Sequence, residues 1–108
     1  MINSYEFCIY LNEELIGLCD SRDINRITRS AVIGIVIDKQ FQGHEYSFNA
    51  MELLIDFLFN RLNLNRIQLD TWSENKMAIK LYEKSNFKLE GILKENEYYK
   101  GKYGDTLI

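Results

Sequence analysis

The spacing of apolar positions changes rhythm along the chain, and each change marks an element. Residues 6–11 (Glu-Phe-Cys-Ile-Tyr-Leu) are rich in aromatic and β-favouring side chains and predict a strand. Residues 12–14 are polar and predict a turn. A second strand opens with residues 15–19 and runs into the polar stretch 20–29, the far end of a hairpin. Residues 31–37 (Ala-Val-Ile-Gly-Ile-Val-Ile) are an unbroken apolar, β-branched run, which at this length predicts a strand covered on both faces. Residues 38–45 are polar, contain Gly43 and predict a loop. From Tyr46 the period lengthens. Met51, Leu54, Ile55, Leu58, Phe59 and Leu62 make the single apolar stripe of an amphipathic helix, which residues 63–65 end. Residues 66–72 alternate again, with Ile67, Leu69 and Thr71 on one face, and predict one strand. Ser73 or Asn75 can cap a second helix reaching Lys84, with Ala78, Ile79, Leu81 and Tyr82 among its apolar positions. Residues 87–94 and 102–108 predict two closing strands joined by a turn near Gly101.

The order is strand, strand, strand, helix, strand, helix, strand, strand. Helices interrupting a mixed sheet give an α+β class with α/β-like features, helices packing on sheet faces. The middle strand–loop–helix–strand piece predicts a parallel crossover, right-handed by the general rule. With 108 residues, no proline and no low-complexity tract, the expectation is a single domain over 1–108.

Composition narrows the function classes. Hydrophobic residues at 46% and charged residues at 27% describe a folded chain rather than a disordered one. A net charge of −3 argues against a nucleic-acid partner, which needs a basic footprint. The N-terminus lacks the basic-then-apolar pattern of a signal peptide, and no run approaches the roughly 20 apolar residues of a membrane span. Two cysteines, Cys8 and Cys19, read as free thiols in a reducing cytoplasm, and with one histidine they make a poor metal site, so no metal is expected.

Two places invite chemistry. The loop before the first helix carries Gln42-Gly43-His44-Glu45. A helix N-terminus presents unpaired N–H groups and partial positive charge, so phosphates settle there, and a glycine lets backbone approach a ligand closely. The same glycine also suits a plain turn. The second place is the run from Asn75 to Phe87. Asn75 can contact a ligand's amides or simply cap the helix. Tyr82, about two turns further on, can give a proton to a leaving thiolate or serve as a core aromatic. His44 can donate to a ligand or stand exposed, and Trp72, Tyr98, Tyr99 and Tyr103 can line a substrate slot or pack on the sheet.

The ordered set Gln42-Gly43-x-x-Tyr46 opening a helix, then Asn75-x-x-Ala78-Ile79-x-Leu81-Tyr82-x-x-x-x-Phe87 and Glu90-Gly91, resembles the Gcn5-related N-acetyltransferase (GNAT) family. Within it the likeness is to the branch of spermidine and ribosomal-protein N-acetyltransferases. The resemblance implies a mixed, mostly antiparallel sheet and acetyl-coenzyme A as co-substrate. It implies that the backbone of Ile35, Val36 and Ile37 pairs with the pantetheine arm, that Gln42, Gly43, His44, Glu45, Tyr46 and Ser47 cradle the pyrophosphate, and that Asn75 contacts the arm. Tyr82 is then the catalytic acid that protonates the departing thiolate. An N–H near Ile35 steadies the oxyanion. The acceptor is a primary amine: a polyamine, another small amine or a protein N-terminus. No membrane partner is implied.

Two departures stand out. Glu45 occupies a position where the family usually has a small residue, mostly glycine. Its carboxylate either crowds and repels the phosphates or turns outward at the helix start. The chain also begins where family members have already built a strand and two helices. This predicts a truncated member with an uncovered sheet edge, which self-associates as a dimer or larger homo-oligomer. Glu6, Tyr99 and Glu97 are stand-ins for a general base. The alternative expectation is a truncated, catalytically inactive fragment that folds and self-associates.

Overall fold

A computed structural model describes residues 3–99 and 101–108, with Tyr99 and Tyr103 described in their backbone only. The chain divides into two compact units, Met1–Gln68 and Leu69–Ile108.

In the first unit the strands are β1 (Tyr5–Leu11), β2 (Glu14–Asn25), β3 (Ser30–Ile37) and β4 (Arg66–Gln68), forming one sheet in the order β1-β2-β3-β4. The first three are antiparallel neighbours, and β3 pairs with β4 in parallel. The predicted crossover is therefore present, carried by α1 (Tyr46–Asp56). Parallel neighbours need such a long connection because no tight turn can join them.

The polar stretch 20–29 is the far end of the β2–β3 hairpin, and β2 runs on within it through Asp20 to Asn25. Strand pairing supplies what the side chains lack in apolar character. Asn25 then closes the hairpin, its Oδ1 accepting from the N–H groups of Ile27 (2.9 Å) and Thr28 (3.0 Å).

The core of this unit lies on one face of the sheet. Ile16, Cys19, Ile33 and Ile37 are buried there, as are Met51 and Leu54 of α1. β3 is covered on that face only, contrary to the double-sided expectation, and Val36 is 70% exposed. A charged pair holds part of the other face, since a Cβ on Gly34 would meet Asp20 and Arg22. The helical stripe also ends differently from its pattern. After Asp56 the chain makes a π turn (Phe57–Arg61) that keeps Leu58 buried and leaves Phe59 partly exposed. Phe57 meets Tyr5 and Phe7 edge-on, with centroids 5.3 and 5.4 Å apart.

The second unit holds β5 (Thr71–Trp72), α2 (Lys76–Lys84), β6 (Ile92–Tyr99) and β7 (Lys102–Leu107), its sheet running β5-β7-β6 with antiparallel pairs. The alternating run 66–72 is thus two short strands that belong to different sheets, with residues 69–70 between them. β6 starts later than its apolar residues suggest. Its register slips between Leu93 and Glu97, and polar side chains secure the bulge. Asp105 Oδ1 accepts from the Glu95 N–H (3.0 Å), and the buried Thr106 hydroxyl donates to Glu97 Oε2 (2.5 Å) while accepting from Asn96 Nδ2 (3.1 Å).

Candidate active site

The open edge of β3 is the first element of the site. Pairing with β4 covers only Ser30, Ala31 and Val32, yet β3 continues to Ile37. The backbone groups on that stretch can be assigned. The Asp38 N–H donates to the Ile16 carbonyl (2.7 Å), continuing the register Gly17↔Ile37 and Leu18↔Val36. Antiparallel ladders alternate bonded and non-bonded pairs. Gly34 and Val36 therefore turn their N–H and C=O toward β2, and Ile35 and Ile37 turn theirs to the opposite edge, where no strand pairs with them among the described residues. Of the three backbones implied by the resemblance, those of Ile35 and Ile37 face the open edge and that of Val36 faces its neighbour.

The turn that follows is tightly specified. Residues Lys39–Phe41 make one 3-10 turn, with the Phe41 N–H on the Asp38 carbonyl (2.8 Å) and the Gln42 N–H on that of Lys39 (3.2 Å). Gln42 then folds back, Nε2 donating to the Ile37 carbonyl at 2.9 Å. Gly43 has φ +83°, the left-handed region, and a Cβ there would meet nothing within 4 Å. Glycine serves here for its backbone freedom, and the space beside it is open to a ligand.

Glu45 stands at the N-cap of α1, exposed, with no side-chain cap hydrogen bond. Tyr46 and Ser47 form the first turn and are half-buried. The Tyr46 ring lies 5.2 Å from exposed His44 and 6.4 Å from Phe41. Phe41 was missed from sequence; its signal was an aromatic residue alone in an otherwise polar loop.

In the second unit, Asn75 is the cap of α2, Oδ1 accepting from the Ala78 N–H at 3.2 Å. Ser73 does other work, its Oγ accepting from the Asp105 N–H (3.2 Å). Tyr82 is half-buried on the same helix and meets Phe87 edge-on at 6.1 Å. Burial pushes its phenol pKa up. A small cavity of about 130 Å³ borders it, lined also by Leu69, Ile79, Phe87, Leu107 and Ile108. Of the base stand-ins, Glu6 is exposed on β1 and Glu97 is held by Thr106 in the β6 bulge. The Tyr99 side chain lies outside the described residues.

The model of the acetyltransferase (GNAT) domain matches residues 2–88. The chain belongs to this family. It is 38% identical to the spermidine N(1)-acetyltransferase of Vibrio cholerae over 94 residues, covering 87% of this chain and 54% of that protein. It is 32% identical to the spermidine N(1)-acetyltransferase of Escherichia coli over 101 residues, covering 94% of this chain and 54% of that one. The dodecameric structure of the Vibrio cholerae spermidine N-acetyltransferase superposes with a TM-score of 0.89 at 34% identity, over 97% of this chain and 62% of that one. The fold is thus the GNAT fold, mixed α+β with mostly antiparallel strands. The chain spans about half the length of these curated relatives. No helix among the described residues is long and apolar enough to cross a membrane.

Proposed function

We propose that this chain is the acetyl-coenzyme A-binding part of an N-acetyltransferase whose acceptor is a primary amine, a polyamine ahead of other small amines and protein N-termini. The observation that carries the reading is the edge of β3 from Ile33 to Ile37, left without β4 and running into the Gly43 turn and α1.

These residues fit the cofactor. Pantetheine carries amides, and the open edge offers them the Ile35 C=O and the Ile37 N–H. Its pyrophosphate is an anion, and the start of α1 offers N–H groups and positive partial charge beside an unobstructed glycine. Acetyl-coenzyme A supplies the acyl group as a thioester. The Ile35 N–H is the donor for the carbonyl oxygen as negative charge builds, a role typically worth about 10²–10³ in rate. Asn75 contributes to holding the arm. The Tyr82 phenol, kept protonated by burial, holds the proton that the departing thiolate takes.

The polyamine preference rests on the two spermidine acetyltransferases. Assembly of copies is part of the proposal, supported by the dodecameric neighbour and by the outer edge of β1. A cytoplasmic setting is proposed from the free thiols. The test is thiol release from acetyl-coenzyme A with spermidine, other amines and an N-terminal peptide. Amine-dependent release, highest with spermidine, is expected. Cofactor binding without release for any amine contradicts the enzyme reading.

A further inference from the structure

Gln42 is the residue whose geometry says more than its motif. The resemblance puts it among the groups that cradle phosphate, but its carboxamide is engaged elsewhere: Nε2 donates to the Ile37 carbonyl at 2.9 Å, in a part-buried position. That carbonyl lies on the open edge of β3, by the alternation that the Asp38–Ile16 bond establishes. The bond therefore spans from the last strand residue to the residue before Gly43, closing a ring around the 3-10 turn Lys39–Phe41.

We propose that Gln42 is a positioning residue, whose side chain fixes the glycine turn against the β3 edge and takes the Ile37 carbonyl out of use. This rests on the cofactor reading above and deepens it. Two consequences follow. With the Ile35 N–H given to the thioester carbonyl, the groups of Ile35 and Ile37 left for a pantetheine arm are the Ile35 C=O and the Ile37 N–H. The arm-binding edge and the phosphate-binding turn are held at a set separation before any ligand arrives, which lowers the ordering cost of binding a ligand that must touch both.

The experiment compares the full chain with Gln42→Met, similar in length but unable to donate, and Gln42→Glu, which places a carboxylate against a carbonyl. In the absence of ligand, hydrogen exchange reads the protection of the Phe41 and Gln42 amides, which bond the Asp38 and Lys39 carbonyls within the turn. The expectation is exchange about tenfold faster in both variants, as for loss of one ordering hydrogen bond, with the β2–β3 amides unchanged. Unchanged protection at Phe41 and Gln42 overturns the proposal whether or not any cofactor binds, and an unfolded variant is recognised by loss of protection throughout. Calorimetry then measures acetyl-coenzyme A, S-acetylpantetheine and 3′-phosphoadenosine 5′-diphosphate. Acetyl-coenzyme A is expected to weaken by about tenfold in Gln42→Met, more than either piece, because only the whole ligand needs the set separation. An equal loss for the diphosphate alone means that Gln42 contacts phosphate directly and overturns the positioning role. If the unaltered chain binds none of the three, the cofactor reading fails while the exchange result still decides whether Gln42 orders the turn.

Discussion

Burial pushes the Tyr82 phenol above its ordinary value of 10.0, so it stays protonated through the neutral range. Replacing it by phenylalanine keeps the ring contact with Phe87 and removes the proton. Tyr82→Phe is therefore expected to lower turnover by about 100-fold or more, with the dissociation constant for acetyl-coenzyme A nearly unchanged. Equal turnover in steady-state assays removes Tyr82 from the acid role. The same shift has a stability consequence of definite sign. A group whose proton is held more tightly in the folded state contributes stability that is full below its unfolded pKa and lost as pH rises through the folded one. The Tyr82 contribution is thus complete below pH 10.0 and falls above it. Tyr82→Phe should flatten the alkaline limb of a melting-temperature profile, and an unchanged limb contradicts the assignment. Glu45 offers a second test. A carboxylate some 4–6 Å from phosphate costs about 1–3 kcal/mol, depending on the local dielectric. Glu45→Gly is expected to tighten acetyl-coenzyme A binding by up to about a hundredfold in calorimetry. No change means that the carboxylate stands clear of the ligand.

Elements owe their limits to partners as much as to their own residues. The Gly104 position on β7 is filled by the Trp72 indole of β5, so that an added Cβ would overlap Nε1 and Cδ1. Gly104→Ala must push β5 and β7 apart or turn the indole, a change expected to cost about 1–3 kcal/mol in denaturant melts followed by the fluorescence of the one tryptophan. A melt superimposable on the parent's contradicts the packing. Such constraints explain what the sequence could and could not announce. The steps of three and four through Met51, Leu54 and Leu58 identify α1 because one face of a helix must find the core, and those three side chains are buried. The glycine before it is equally plain, since a positive φ has few other occupants. The break between Gln68 and Thr71 was not visible, because alternation reports a face and not which sheet the strand joins. The bulge in β6 was invisible for the same reason: Asp105, Thr106 and Glu97 secure it from across the hairpin. At the site, the resemblance pointed to the backbones of Ile35, Val36 and Ile37 alike, and only the register with β2 shows that the Val36 amide faces away. Asn75 illustrates overlap, as its cap bond to Ala78 uses one end of a side chain whose other end is still available for the role the family implies.

The whole chain presents surfaces that matter as much as its site. Among the described residues β1 pairs on one side only, and the strand is free of proline and lysine, the usual guards against pairing with another chain. Beside it, a cleft of about 450 Å³ is lined by Phe7, Tyr10, Leu53 and Phe57 among others, and Leu53 is 74% exposed. Self-association is therefore expected in light scattering, growing with concentration. A monodisperse monomer across the range contradicts it. The central claim, however, is that the open β3 edge and the Gly43 turn bind acetyl-coenzyme A. Calorimetric titration of the purified chain with acetyl-coenzyme A tests it directly. Saturable binding at roughly micromolar strength, about 8 kcal/mol, is expected. No heat of binding at about millimolar cofactor would contradict it, leaving the GNAT fold without the ligand its open edge is proposed to hold.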